Sequence, residues 1–393
     1  MPNNILLPKI TEIGAGAIER VADVLAGLGV SRPLIVTDPM MRQLGYVERL
    51  GQRLRYGGIS YGVFGETVPE PTEASIKAGV AALQAGAEDG QAYDSLIALG
   101  GGSPIDSAKA IGVLGHFGGE IRDYKFPNQA GEVGLPVIAI PTTAGTGSEA
   151  TRFTIITDDT ADEKMLCVGI GFMPTAAILD YELTLSVPAR VTADTGIDAL
   201  THAMEAYVSR KANAYSDQQA LAAMRLIGPN LRRVYHEPSD RAAREAMMLG
   251  AYLAGIAFSS ASVALVHGMS RPIGAAFHVP HGMSNAMLLP AVTDYSVDAA
   301  PGRYAECARA IGIANPANTE LAACNLLKEE LRALNAELGV PSPGDFGIDR
   351  EAWQQHLATM AEQALASGSP GNNPRVPDAE TIVALYERCW AQA

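Results

Sequence analysis

Three runs in the first half of the chain, PLIVTD at 33–38, SLIAL at 95–99 and PVIAI at 136–140, are apolar at consecutive rather than alternate positions, each over the length of one strand. A strand with one wet face alternates, whereas a strand covered on both faces does not. The runs therefore predict a parallel sheet with helices on both sides. Segments 17–28, 41–54 and 72–85 supply those helices, with apolar residues three and four apart and a helix start at Thr72 and Glu73 after Pro71. Strand and helix in alternation spell βαβ units. FTIIT at 153–157 and TAAILD at 175–180 carry this α/β region to about residue 184.

Beyond Val187-Pro188 the β-branched runs stop and Ala, Leu, Met and Glu dominate. Helices are predicted over 194–210, 216–235, 241–269, 301–311, 319–338, 350–366 and 378–391, with a Pro/Gly/Asn-rich surface loop at 367–377. The expected organisation is thus an α/β domain over residues 1–184 followed by an all-helical domain over 185–393. Residues 246–270 contain no Asp, Glu, Lys or Arg, which is enough length for a membrane span. Gly250, Gly255, Ser259, Ser260 and Ser262 dilute the stretch and no second one exists, so it reads as the buried helix of a large core, with no membrane partner.

Charge excludes another class of partner. With 29 Lys and Arg against 43 Asp and Glu, the net charge of −14 has the wrong sign for holding a nucleic acid backbone. The cysteines Cys167, Cys307, Cys324 and Cys389 are far apart and form no CxxC, which speaks against a disulfide framework or a thiolate zinc site. No basic region followed by an apolar stretch opens the chain, so a mature cytoplasmic protein is expected.

Directly after the strand at 95–99 comes GGGSPIDSAK, 100–109. Gly100, Gly101 and Gly102 let a backbone approach a pyrophosphate, and a helix opening there offers free N–H groups and a positive dipole end. Ser103 as N-cap, Pro104 at the first helical position and Asp106 three residues on resemble a capping box. A tight turn of purely structural purpose is the competing reading. The next strand leads into PTTAGTGSE, 141–149, whose Thr142, Thr143 and Thr146 can line the same ligand, because such crevices lie beyond the carboxyl ends of neighbouring parallel strands. Asp38 ends the first strand, where a carboxylate can accept from ribose hydroxyls and repel a 2′-phosphate, or serve as a turn residue before Pro39.

Only seven histidines occur, so their placement is informative. Asp198 and His202 are four apart in a predicted helix and share a face. His267 and His281 come from the end of the uncharged stretch and from a Pro-His-Gly turn. One carboxylate and three imidazoles without a thiolate suit a divalent iron, zinc, nickel or manganese ion. Each of these histidines could equally be a satisfied core residue.

Together these motifs resemble the iron-containing, or group III, alcohol dehydrogenases. The likeness spans nearly the whole chain through GGGSPIDSAKA (100–110), PTTAGTGSE (141–149), TGIDALTHAMEAY (195–207) and VHGMSRPIGAAFHVPHG (266–282). It implies a Rossmann-like nucleotide-binding domain, an all-helical domain and an active site between them. It further implies that Asp198, His202, His267 and His281 bind the metal, iron foremost, and that the glycine turn with Ser103, Thr142, Thr143 and Thr146 binds NAD. Lys164 matches a position near the nicotinamide ribose, and a dimer is the family's habit. Two departures stand out. Members often carry a histidine four residues after the third ligand as a proton relay, where this chain has Arg271, leaving His278, ordered water or ribose hydroxyls for that task. Glu70 replaces an asparagine between prolines and is not assigned to the cofactor.

The expected activity is hydride transfer between a small alcohol and the nicotinamide of NAD, with a metal polarising the substrate oxygen. A dehydroquinate-synthase-like enzyme without net cofactor turnover, or a non-catalytic metal or nucleotide binder, is the alternative. Arg271 adds a finer expectation. A guanidinium beside the metal suits a substrate bearing an acidic group, unless it pairs with a protein carboxylate or caps the end of its helix.

Overall fold

A computed structural model describes residues 4–87, 90–159 and 163–391. They divide into two compact units, Ile5–Val187 and Pro188 onward, a division three residues past the expected 184/185.

The first unit contains β1 (Ile10–Ile13), α1 (Val21–Leu28), β2 (Pro33–Thr37), α2 (Pro39–Gln43), α3 (Tyr46–Tyr56), β3 (Gly62–Phe64), α4 (Glu73–Ala85), β4 (Ser95–Gly100), α5 (Gly102–Phe117), β5 (Val137–Pro141), β6 (Phe153–Asp158), β7 (Glu163–Val168) and β8 (Ala176–Leu179). Six strands form one sheet in the order β1-β8-β5-β4-β2-β3, and every pairing in it is parallel. Strands β6 and β7 form a separate antiparallel pair. Period-two alternation sends Leu34, Val36, Leu96 and Ala98 to one face, against Ile76 and Leu83 of α4 and Ile105 and Ile111 of α5. Ile35, Ile97, Leu99, Ile138 and Ile140 go to the other, against Val21 and Leu25 of α1 and Leu50 and Leu54 of α3. Both faces are covered, which is why the runs are continuously apolar.

Two local expectations are corrected here. Segment 41–54 is not one helix, because Gly45 adopts φ 75° between α2 and α3; Asp38 caps α2 by accepting from the Met41 amide at 3.0 Å. Nor is Ser103 an N-cap. Helix α5 already begins at Gly102, and no side chain caps its amino terminus. With Gly100 at φ 148° the chain turns on its glycines and needs no capping hydroxyl; a Cβ there would meet Pro104 at 2.6 Å.

The second unit is helical: α6 (Ala189–Val208), α7 (Ala214–His236), α8 (Arg241–Ala261), α9 (Leu265–Phe277), α10 (His281–Ser296), α11 (Pro301–Ile311), α12 (Glu320–Glu337), α13 (Arg350–Ala366) and α14 (Ala379–Ala391). The expected helix over 241–269 is broken, since α8 and α9 meet at a corner of 102°. Ser262 sits at φ 63° in the corner, while the Ser209 hydroxyl donates to the Ala261 carbonyl at 2.7 Å. The segment expected as a surface loop at 367–377 braces the same corner from the other side. Asn372, 5% exposed, donates to Ser262 Oγ at 3.1 Å and to the Val263 carbonyl at 2.9 Å. Pro370 packs so closely on α9 that a Cβ on Gly268 would meet it at 2.7 Å. Among the described residues no single helix is long and apolar enough to cross a membrane.

Asn372→Ala leaves the buried Val263 carbonyl without this donor. It should lower stability by about 1–3 kcal/mol, measured as a shift of the urea midpoint with the slope unchanged.

Candidate functional site

Helix α6 runs through the interior of the helical unit, with residues 196–208 all buried. Asp198 and His202 lie one turn apart on it, with Asp198 Oδ1 3.8 Å from His202 Nε2. The corner after α8 delivers His267 from α9, whose Nε2 is 3.4 Å from the same oxygen, and the start of α10 delivers His281, whose Nε2 is 3.8 Å away. The ligand atoms of Asp198, His267 and His281 lie within 4.8 Å of one another. His202 stands beside them, stacked on His267 with ring centroids 4.4 Å apart. The four side chains thus come together from three helices.

Burial pushes the Asp198 carboxyl up, but His202, His281 and His267 outweigh it and hold the group well below the usual carboxylate range. For His267, burial pulls the imidazole down while Asp198 and Glu205 raise it, and the carboxylates win. These donors fit a divalent cation. They are a carboxylate oxygen and imidazole nitrogens, the carboxylate is kept ionised, and the buried Asn285 amide turns its own positive pole into the middle of them.

Two members of this cluster were missed in the sequence. Glu205 is buried and accepts from the Ala264 amide at 3.0 Å, the Val266 amide at 2.6 Å and His267 Nδ1 at 2.6 Å. It therefore satisfies the first amides of α9, complements the helix dipole and orients the imidazole. The available signal was spacing, since 198, 202 and 205 form one stripe of a helix. Asn285 follows His281 by one turn on α10.

Arg271 is interior to α9 rather than in its last turn, and its Nη1 donates to Ser369 Oγ at 3.2 Å. It forms no ion pair with a carboxylate among the described residues, so neither structural alternative for it holds. Burial pulls the guanidinium down, with Glu205 acting in the opposite sense. His278 is exposed at the left-handed C-cap of α9, φ 54°, and makes no hydrogen bond or ring contact with the four clustered residues.

In the α/β unit the carboxyl ends of β2, β4 and β5 lie side by side, Thr37 opposite Leu99 and Gly100 opposite Pro141. This brings three predicted features together. A Cβ on Gly100 would lie 3.3 Å from Asp38 Oδ2, one on Gly101 3.5 Å from Thr143 Oγ1, and one on Gly102 2.9 Å from Thr146 Cγ2. Thr142 is tied in by its backbone, donating to the Gly100 carbonyl at 2.9 Å. The uncapped start of α5 thus turns on glycines, of which Gly100 and Gly102 leave no room for a side chain, and the bare backbone there fits a pyrophosphate. Beneath it Lys109, fully buried, donates to Ser148 Oγ at 2.8 Å, Thr151 Oγ1 at 3.2 Å and the Phe153 carbonyl at 2.8 Å. Asp106, expected in a capping box, instead accepts from Ser148 Oγ at 2.5 Å and the Ile155 amide at 2.9 Å. Burial pushes Lys109 down to about 8 and Glu149 up to about 7. Lys164 reaches Glu70 Oε1 at 2.6 Å, and the Glu70 amide donates to Ser103 Oγ at 3.3 Å, so Lys164 and Ser103 are joined through Glu70.

Comparison with known proteins identifies the family. Residues 8–181 match the family described as iron-containing alcohol dehydrogenase, and residues 192–390 match the C-terminal part of the Fe-containing alcohol dehydrogenase family. The chain belongs to the iron-containing alcohol dehydrogenases and is an oxidoreductase. It is 35% identical over 393 residues to lactaldehyde reductase of Escherichia coli (strain K12), covering 99% of this chain and 100% of that one. It is 40% identical to long-chain-alcohol dehydrogenase 1 of Geobacillus thermodenitrificans, covering 98% and 96%. Among solved structures, 1,3-propanediol oxidoreductase superposes with a TM-score of 0.93 at 33% identity, covering 99% of this chain and 100% of that one. Sulfoacetaldehyde reductase of Bifidobacterium kashiwanohense, in complex with NAD+, superposes with a TM-score of 0.86 at 27% identity over the whole of both chains.

Two substitutions test the metal centre by elemental analysis and metal titration rather than turnover. His267→Ala should strip the ion. Glu205→Gln should weaken metal binding by about 10- to 100-fold, as loss of an orienting carboxylate does. Full metal occupancy in both variants would refute the assignment.

Proposed function

We propose that the chain is an NAD-dependent, divalent-metal-dependent alcohol dehydrogenase and aldehyde reductase acting on a small substrate that bears an acidic group. The observation that carries the metal part is the convergence of His202, His267 and His281 on one oxygen of Asp198. When bound, NAD accepts the hydride from the alcohol carbon and the divalent cation polarises the substrate oxygen. The protein's own part is positional. Asp198, His202, His267 and His281 hold the cation, and Glu205 fixes the His267 ring so that Nε2 faces inward. The open cradle at Gly100–Gly102 receives the pyrophosphate, with Ser103, Thr142, Thr143 and Thr146 around it and Lys164 toward the nicotinamide ribose. His278 has no part in this reading of the site. A homodimer in a reducing cytoplasm completes the proposal, in keeping with four buried free thiols.

A substrate panel with NAD and NADP tests this reading, run after reconstitution with Fe(II), Zn(II), Ni(II) or Mn(II) and followed by NADH absorbance. Metal-dependent net NADH formation is expected. Its absence across the panel favours an enzyme without net cofactor turnover.

NAD preference is supported by Asp38 Oδ2 beside Gly100, where like-charge repulsion acts on a 2′-phosphate. Asp38→Gly should narrow the gap in kcat/KM between NAD and NADP; equal values in the unmodified enzyme would remove this claim.

The acidic substrate is supported by Arg271, one turn after His267 and without a carboxylate partner among the described residues. A dication with Asp198 and Glu205 balances to zero, so the guanidinium leaves one positive charge in surplus. A carboxylate, phosphonate or sulfonate would neutralise it. Arg271→Ala should cost about 10²-fold in kcat/KM on acidic substrates while sparing neutral alcohols, equivalent to about 2–3 kcal/mol. An equal loss on both types makes Arg271 a structural residue.

A further inference from the structure

We infer that Arg42 gives this chain a place for the 2′-phosphate of NADP, and that the charge of Asp38 keeps that place out of use. The inference rests on the cofactor site proposed above and adds a second residue to its adenosine end. Asp38 follows β2, and its Oδ1 accepts from the Met41 amide at 3.0 Å, which caps α2. Arg42 comes one helical turn after Asp38. Its guanidinium lies across Gly65, the first residue after β3, where an added Cβ would meet Arg42 Cζ and Nη2 at 2.7 Å each. Strand β3 is the neighbour of β2, with Val36 opposite Phe64. Beyond Gly65 the Thr67 amide and hydroxyl both donate to the Thr37 carbonyl, at 3.2 and 2.9 Å. The loop that seats the guanidinium is thus fastened to the carboxyl end of the strand that leads to Asp38.

Charge selects the ligand. Arg42 is exposed and its side chain makes no ion pair or hydrogen bond among the described residues, in a chain that carries 43 acidic side chains against 29 basic ones. A guanidinium that rests on a glycine, with no carboxylate to neutralise it, keeps its donors for an anion from outside the chain. In a parallel sheet of this kind, the part of a dinucleotide that meets the end of such a strand is the adenosine ribose. NAD presents only hydroxyls there, and the Asp38 carboxylate can accept from them. NADP presents a phosphate, which suits the planar fork of Arg42 and is repelled by Asp38. The two side chains therefore act in opposite senses on one substituent. Preference for NAD is then the balance between them rather than the lack of a phosphate site.

The test titrates the full-length protein with NADP and with NAD by calorimetry, so that affinity is read without turnover. Asp38→Asn removes the charge and keeps an oxygen to cap α2, and should raise NADP affinity about tenfold. Adding Arg42→Ala to that variant should weaken NADP by about 10- to 100-fold, with a much smaller effect on NAD. Adding Gly65→Ala instead keeps Arg42 but moves its guanidinium, because the new methyl meets the far end of that side chain, and Gly65 has no positive φ to make alanine strained. It too should weaken NADP more than NAD, and it serves if the Arg42→Ala chain does not fold. Asp38→Asn that binds NADP no better than the unmodified protein overturns the inference. So does a gain that survives both second substitutions, or an equal loss for NAD and NADP, which would set Arg42 against a part the two share. Absence of NAD binding in the unmodified protein overturns the cofactor reading as well.

Discussion

A single buried carboxylate does three jobs that the helical unit cannot separate. Glu205 accepts from two backbone amides at the start of α9 and from the ring of His267. A helix that begins in the interior, with no water to meet its first N–H groups, needs an acceptor there or does not begin. The corner between α8 and α9, the direction of α9 and the aim of His267 thus depend on one side chain of α6. Since α6 also carries Asp198 and His202, the cluster and the scaffold that orients it are set by the same helix. The remaining brace comes from Asn372 and Ser209, which take up the polar groups of the corner itself.

The α/β unit solves a different problem with the same economy. A cradle made of bare backbone at Gly100–Gly102 has no side chains of its own to hold it in shape, so its rigidity has to come from below. Lys109 and Asp106 supply it by tying α5 to Ser148, Thr151 and β6 in a closed set of hydrogen bonds away from solvent. The strain of burying a cation is visible in Lys109, whose affinity for its proton is reduced, and in Glu149 nearby, whose affinity is increased.

What could be read from the amino acids alone follows from where the deciding interactions lie. The central strands were legible because burial on both faces leaves them apolar at nearly every position, with Thr37 and Ser95 only at their ends, and the clustered histidines because they are rare and one of them pairs with Asp198 at helical spacing. The break after Ala261 was not. Residues 246–270 are apolar enough for one long helix, and the groups that bend it, Glu205, Ser209 and Asn372, come from distant parts of the chain. The same holds for residues 367–377, whose composition suits a wet loop and whose asparagines are in fact buried donors. Ser103 and Asp106 matched a capping pattern, yet flexible glycines before them let the helix start earlier and released Asp106 for another task. Asn285 carried no signal beyond lying one turn from His281, because its role arises only when three helices meet.

The corner that aims His267 is braced by residues about a hundred positions further along the chain, Asn372 and Pro370. During synthesis, all four clustered residues have emerged long before that brace does, whereas every strand of the parallel sheet is complete earlier still. A nascent chain therefore possesses its α/β half as a finished body while the helical half still lacks the segment that locks its corner. A chain whose last thirty residues are still inside the ribosome therefore exposes the four clustered side chains before Asn372 and Pro370 can close on the corner.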